Sequence, residues 1–240
     1  MINWYDADGH LSEDMVADFR QTLLTWYDES GRTHLPWRID KEPYHIWVSE
    51  IMLQQTQVET VIPYYERFLA ELPRVQDLAE ADEEVLLKLW SGLGYYSRIR
   101  NMQKAAQQVM ADCDGQCPAT SQDLQTLAGI GPYTAAAIAS ISFNEVVPAL
   151  DGNMFRVFAR LLKIEADIAQ PKSRKIFYDA ILPIVDPERP GDFNQAVMDL
   201  GTSLMSVKTE TLSDSPFARF NLRYQEGIEL NFPVKSKKVK

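Results

Sequence analysis

Apolar residues recur every three or four positions along most of the chain. Met15, Phe19, Leu23 and Trp26 form one such stripe, preceded by Ser12 at a position suited to an N-cap; Val58, Val61, Tyr65, Phe68 and Leu72 form another. Val85, Leu89 and Leu93 continue the pattern, as do Ile99, Met102, Ala106, Val109 and Met110, and then Phe155, Phe158, Leu161 and Leu162. This spacing puts each set on one face of a helix, and a serine hydroxyl can accept from the unpaired N–H groups of the first turn. No stretch alternates apolar and polar residues between hairpin turns, so no sheet is expected. The breaks are short: "LPWRIDKEP", "SGLGYYSR", "GIGP" and "DPERPGD". The pattern predicts an all-α chain of about ten helices. One segment departs from it. After "DFNQAVMDL" the residues from Leu200 to Gln225, "LGTSLMSVKTETLSDSPFARFNLRYQ", lose all periodicity, and a connection this long is unusual inside a compact domain.

Composition narrows the class without naming a function. The 240 residues are 45% hydrophobic and 24% charged, ordinary for a globular chain of one large or two small domains. No apolar run is long enough to span a bilayer, and "MINWYDADGH" lacks the basic-then-apolar layout of a secretory signal. Cys113 and Cys117 are the only cysteines, read as two free thiols in a loop of a cytosolic protein; His10, His34 and His45 have no metal-ligand spacing. The net charge of −10 by itself argues against a nucleic-acid partner. The basic residues nevertheless cluster, at Arg98, Arg100 and Lys104, at Arg156, Arg160 and Lys163, and in the terminal "KSKKVK", so a local basic face is compatible with the acidic whole.

Three segments carry candidate chemistry. In "LQTLAGIGPYTAAAIASIS", Gly129 and Gly131 join two helices, with Pro132 suited to the first turn of the second. Either the glycines serve only the turn of a plain helical hairpin, or the backbone N–H groups they leave at a helix N-terminus bind phosphate without positive side chains. Glu50 shares a helical stripe with Gln54 and Gln57, either a solvated face or a polar site beside Trp47 and Ile51; Asp151 reads as a helix N-cap or as a second acid. Two carboxyl groups of opposite protonation can flank a glycosidic bond, one as proton donor and one facing the cationic sugar. Tyr95 and Tyr96, followed by Arg98 and Arg100, are either core tyrosines or rings that wedge into a base stack beside phosphate-binding cations.

In order and spacing, "LPWRIDKEPYHIWVSEIMLQQTQVETVIPYYERF", "LWSGLGYYSRIRNMQKAA", "LAGIGPYTAAAIASISF", "PALDGNMFRVFAR" and "FNQAVMDLG" resemble the helix-hairpin-helix DNA glycosylases, specifically the MutY-type adenine glycosylases, from about Trp26 to Gly201. The resemblance implies a two-lobed, all-α fold: a helical-bundle lobe over 32–141, a second lobe from 1–31 plus 142–227, and a linker or tail over 228–240. It implies a monomeric, cytoplasmic, nucleoid-associated enzyme of bacterial type, acting on double-stranded DNA with adenine opposite 8-oxoguanine or guanine and flipping that adenine out of the duplex. It assigns Glu50 as the acid that protonates adenine N7, in an apolar surround that favours the acid form, and Asp151 as the anion that stabilises the sugar cation, favoured by a helix N-terminus. Tyr133 and Asn153 would organise that site. Trp37, Arg38 and Gln195 would surround the extruded adenine, Gln55 and Tyr95 would wedge beside the orphaned base, and Gly129 and Gly131 would hold phosphate.

Three departures from the family pattern have consequences. Relatives that also nick the strand carry a lysine where this chain has Tyr133, so a monofunctional glycosylase is expected; thymine removal from G·T pairs, or DNA binding without catalysis, are the rival functions. Relatives follow "MDLG" with four cysteines spaced C-x6-C-x2-C-x5-C around a [4Fe–4S] cluster. The corresponding positions here are Met205, Leu212, Ser215 and Asn221, so no cofactor and no cluster are expected. In its place Leu204, Met205, Leu212, Phe217, Phe220 and Leu222 would pack an apolar cluster, with Lys208, Arg219 and Arg223 facing the DNA backbone. Finally, relatives continue into a domain that reads 8-oxoguanine. The chain given ends at "NFPVKSKKVK", so weaker discrimination between 8-oxoguanine and guanine is expected of it.

Overall fold

The computed structural model describes residues 3–208 and 213–236. Among these the regular structure is helical: α1 (Glu13–Ser30), α2 (Pro43–Met52), α3 (Val58–Glu71), α4 (Val75–Glu80), α5 (Glu83–Trp90), α6 (Ser97–Asp112), α7 (Ser121–Leu124), α8 (Pro132–Phe143), α9 (Gly152–Leu161), α10 (Ser173–Ile181), α11 (Pro190–Thr202) and α12 (Leu222–Gln225), plus three single 3-10 turns. Strand-like pairing among the described residues is limited to one bridge between Tyr5 and Leu11. No helix among them is long and apolar enough to cross a membrane. The chain divides into two compact units, one of residues 33–145 and one of residues 1–32 with 146–240.

In the unit 33–145, α2 and α8 form the interior. Glu42 caps α2 by accepting from the Tyr44 and His45 N–H groups, and Pro43 occupies the first turn, where its missing N–H costs nothing. α8 is buried from Thr134 to Ile141, and its alanines let α2 pack closely against it. Asn144 ends α8 in the left-handed region at φ 56°, a conformation its short amide side chain tolerates. The expected stripe of α5 is displaced by one residue. Leu86, Leu89, Trp90 and Leu93 are buried, whereas Val85 is 40% exposed. Spacing alone could not choose between Val85 and Leu86; the bulk of Trp90, at i+4 from Leu86, decides the face.

In the other unit, α1, α9 and α11 surround an aromatic core of Trp4, Phe19, Phe158, Phe193, Phe217 and Phe220. Ser12 caps α1 as expected, accepting from the Met15 N–H at 3.3 Å. Phe19 lies edge-on to Phe217 and Phe220 at 6.4 and 5.4 Å between ring centres, and the Trp4 indole N–H donates to the Phe220 carbonyl at 2.8 Å. The aperiodic segment is therefore anchored by its aromatic residues. Met205, Phe217 and Phe220 are fully buried, and Leu204 and Leu222 pack against them; Leu212 lies outside the described residues. Residues 228–236, expected as linker or tail, also pack on this unit. Glu229 is buried, Ile168 donates to the Val234 carbonyl, and Arg160 to that of Phe232.

Candidate active site

The candidate residues fall into both units. In the unit 33–145, α2 buries every residue from Ile46 to Met52, and Glu50 among them is only 7% exposed. The solvated-stripe alternative fails for a further reason: α2 stops at Met52, so Gln54 and Gln57 do not continue the face of Glu50. Gln54 lies in a turn, and Gln57 caps α3. Trp37, in a single 3-10 turn over Pro36–Arg38, is buried with its ring edge-on to Tyr65 at 5.5 Å; Arg38 beside it is half-buried. Tyr133 is half-buried at the second position of α8.

Two loops of the same unit present exposed side chains from a left-handed backbone. Gln55 has φ 60° and Tyr95 has φ 48°, conformations uncommon outside glycine. Tyr95 is 66% exposed and Tyr96 39%, which rules out the core-tyrosine alternative. The nearby Arg98 does not project as a phosphate-binding cation. It is half-buried, with its guanidinium directed at backbone carbonyls of these two loops. The glycine hairpin lies against α6. Gly129 has φ +75°, and a Cβ there would come within 2.8 Å of the Asn101 Cβ, so only glycine fits. Gln108 accepts from the Ala128 N–H at 2.8 Å and so orders the turn, while Gly131 caps α8 with open space at its Cα. A small cavity of about 110 Å³ joins the hairpin to the loops, bounded by Ile51, Gln54, Arg98, Asn101 and Gly129.

In the other unit Asp151 caps α9. One carboxylate oxygen accepts from the Met154 N–H at 2.7 Å, the other from the Asn153 side-chain amide at 2.9 Å. The carbonyl oxygen of that amide accepts from Arg156 at 2.5 Å, and Arg156 also donates to the Gly201 carbonyl at 2.6 Å and the Met205 carbonyl at 3.0 Å. A guanidinium is donor-only. It therefore fixes the orientation of the Asn153 amide, whose NH2 must face Asp151. Gly201 permits this contact, since a Cβ there would lie 2.7 Å from the Asn153 Cβ. Contrary to the expectation from the helix N-terminus alone, the Asp151 carboxyl is raised above its ordinary value. Burial raises it, and the Met154 and Asn153 donors and the Arg156 charge only partly oppose that. Gln195, on α11, is 7% exposed and accepts from the Tyr27 hydroxyl at 2.8 Å. Arg156 and Tyr27 were not identified from sequence as site residues. Arg156 was legible in principle, being one turn beyond Asn153, whereas Tyr27 acts across sequence and left no local signal.

The residues at the family's cluster positions do not fit an iron–sulfur group. Met205 is fully buried in the apolar core; the Ser215 hydroxyl accepts from the Phe217 N–H; Asn221 caps α12 and donates to Glu229. None of these supplies a thiolate. Cys113 and Cys117 are free thiols in the other unit, and burial pushes the Cys117 thiol up to about 12. Among the described residues no group of three or more His, Cys, Asp or Glu could hold a metal ion. The expected basic face is partly internal and partly matched by acids, with Lys104 exposed. Arg160 is 1% exposed and Arg223 4%, Arg223 pairing with Glu165 and Glu226; Arg219 pairs with Asp18, Arg100 with Glu83 and Lys163 with Glu226. Lys208 is exposed.

Comparison with known proteins follows the same lines. The model of the HhH-GPD superfamily base excision DNA repair proteins matches residues 48–181. The adenine DNA glycosylase of Mus musculus is 44% identical over 227 residues, covering 90% of this chain and 44% of that protein. That of Homo sapiens is 44% identical over 218 residues, covering 86% and 40%. That of Buchnera aphidicola subsp. Schizaphis graminum is 37% identical over 222 residues, covering 92% and 63%. The chain thus spans less than half the length of the mammalian relatives it matches. Among solved structures, a thermostable thymine-DNA glycosylase superposes with a TM-score of 0.78 at 22% identity, over 89% of this chain and 98% of that one. A non-covalent endonuclease III–DNA complex gives 0.73 at 16%, over 91% and 99%. At these identities the likeness concerns the fold.

Proposed function

The chain belongs to the HhH-GPD superfamily of base excision DNA repair proteins, with their all-α helix-hairpin-helix fold, and we propose that within it the chain is an adenine-specific DNA N-glycosylase. The observation that carries the reading is the 44% identity, over about nine-tenths of the chain, to a relative named adenine DNA glycosylase. The substrate is double-stranded DNA in which adenine is mispaired with 8-oxoguanine or guanine, and the enzyme works as a monomer. Glu50 protonates N7 of the extruded adenine, the bond from N9 to the sugar breaks, and adenine leaves as a neutral base. The sugar is left as an oxocarbenium-like cation, which the Asp151 carboxylate stabilises, or captures transiently, until water adds.

Glu50 lies on the stretch of α2 that is buried from Ile46 to Met52, and Asp151 accepts from Met154 and from Asn153, which Arg156 orients; burial raises the Asp151 carboxyl, so these donors only partly favour the anion this step uses. Tyr133 occupies the position where strand-nicking relatives have lysine, so no Schiff base forms and the enzyme is monofunctional. The glycine hairpin takes phosphate on backbone N–H groups, and Gln55 and Tyr95 enter the duplex beside the orphaned base. Trp37 and Arg38 in one unit and Gln195 in the other are the residues assigned to the extruded adenine. The enzyme works without an iron–sulfur cluster, the packing of Met205, Phe217 and Phe220 serving in its place.

Single-turnover excision from duplexes with A·8-oxoguanine, A·G and T·G pairs tests the substrate. Adenine release from the first two and none from T·G is expected; thymine release would instead favour the rival thymine-specific reading. Glu50→Gln is expected to abolish excision while duplex binding persists, and unchanged turnover would remove Glu50 from its role. Covalent trapping by borohydride in high yield would contradict monofunctional chemistry.

A further inference from the structure

Arg98 has the most unusual set of partners in the unit 33–145. One terminal nitrogen of its guanidinium donates to the carbonyls of Ile51 at 2.9 Å and Gln54 at 2.7 Å, with Met52 at 3.4 Å. The other donates to the carbonyls of Leu93 at 2.9 Å and Gly94 at 3.2 Å. Its two hands thus hold two different loops. Trp90 and Tyr95 flank it, with ring centres 5.3 and 5.7 Å from the guanidinium carbon. The placement does not serve its own helix: Arg98 is the second residue of α6, where a positive charge faces the positive end of the helix dipole. It serves the last carbonyls of α2 and the loop before α6.

The identity of the bonded carbonyls gives this arrangement its meaning. The rotation φ of a residue is set by the peptide plane that precedes it. The carbonyls of Gln54 and Gly94 belong to the planes just before Gln55 and Tyr95, the two non-glycine residues held at positive φ in these loops. We propose that Arg98 is a positioning residue that sets both wedges together, clamping the two preceding peptide planes so that Gln55 and Tyr95 project as a matched pair. The loop geometry stands by itself; its use on a duplex rests on the function proposed above. A lysine cannot replace it, because a single ammonium lacks the planar fork that reaches two loops at once.

The test uses Arg98→Lys and Arg98→Met in the full chain, with melting to verify folding and hydrogen exchange to follow residues 53–56 and 92–96. Extrusion is read separately from chemistry, by the emission of 2-aminopurine placed opposite guanine in the target position, in a Glu50→Gln background. In that background both variants are expected to bind the duplex within about threefold of their parent and to lose the emission rise; with Glu50 in place they are expected to excise adenine at saturating enzyme on the order of 100-fold more slowly than the chain with Arg98. Faster exchange should be confined to the two loops. Emission and excision equal to the parent's in Arg98→Met would overturn the proposal, as would full recovery of both in Arg98→Lys; if Arg98→Met does not fold, Arg98→Lys decides alone. If the Glu50→Gln parent raises emission but the chain with Glu50 in place releases no adenine, the proposed chemistry fails and the positioning role is still read from emission. A parent that binds without any emission rise would overturn both.

Discussion

Asp151 combines two opposed demands in one carboxyl group. Its anion is the form that can face a cationic sugar, yet burial raises its proton affinity above the usual carboxylate value, and the donors from Met154, Asn153 and Arg156 only partly offset this. The sign of the stability effect follows. With the folded-state value above the unfolded one, the favourable contribution is complete below the ordinary carboxylate range and disappears as pH rises through the raised value. Ionising Asp151 is therefore harder in the folded protein than in the unfolded chain. Asp151→Asn keeps a good N-cap residue and removes that charge, but its own NH2 then meets the Asn153 NH2 that Arg156 holds in place. That loss is present at every pH, so the difference in melting temperature between variant and parent is expected to move in the variant's favour as pH rises out of the carboxylate range, at about 2–4 °C per kcal/mol for a chain of this size. Calorimetry across pH measures that movement, and excision should be lost. A difference that moves the other way with pH would show that the donors, not burial, dominate.

At the scale of elements, the aperiodic stretch after α11 is held by inserted side chains rather than by regular structure. Phe220 contacts Trp4 and Phe19 and accepts the Trp4 indole N–H on its carbonyl. Truncation by Phe220→Ala is expected to cost about 3–5 kcal/mol, as for other buried phenylalanines, read as a lower urea midpoint. Prolonged treatment with a chelator in air should leave the melting curve unchanged, and a marked loss of stability would mean that a metal does hold this segment. The sequence showed part of this arrangement. The lack of thiols was plain, and Phe217 and Phe220 could be named as fillers, but their destination against Phe19 could not, since a residue some two hundred positions away leaves no local periodicity. Periodicity found the helices for the same reason it misjudged two details. It could not see that α2 ends at Met52, because the captured carbonyls that accompany that ending are backbone groups bonded to Arg98. Nor could it phase α5 between Val85 and Leu86.

Across the whole molecule, charge was the least legible property. The basic clusters at 98–104 and 156–163 read as surface patches, yet Arg98, Arg156 and Arg160 spend their guanidinium groups on internal carbonyls, and Arg100, Arg219 and Lys163 are matched by acids. On the function proposed above, a chain of net charge −10 that keeps its cations this way would meet DNA chiefly through backbone N–H groups at the hairpin and a small number of side chains. The affinity for duplex DNA is therefore expected to depend only weakly on salt, with a slope of log K against log salt of about −2 to −4, fewer phosphate contacts than a basic DNA-binding domain makes. Titrations across monovalent salt measure it directly; a slope near −8 would mean that the exposed cations are recruited after all.

Gln55 and Tyr95 also set the terms on which this protein can be improved. Each holds a side chain where glycine would relax the backbone, at a cost of about 1–3 kcal/mol per residue. A laboratory search for heat resistance alone would drift toward glycine at 55 and 95. If these side chains enter the duplex as proposed, each such step would blunt the tool, and durable variants would have to be selected for base extrusion in the same round.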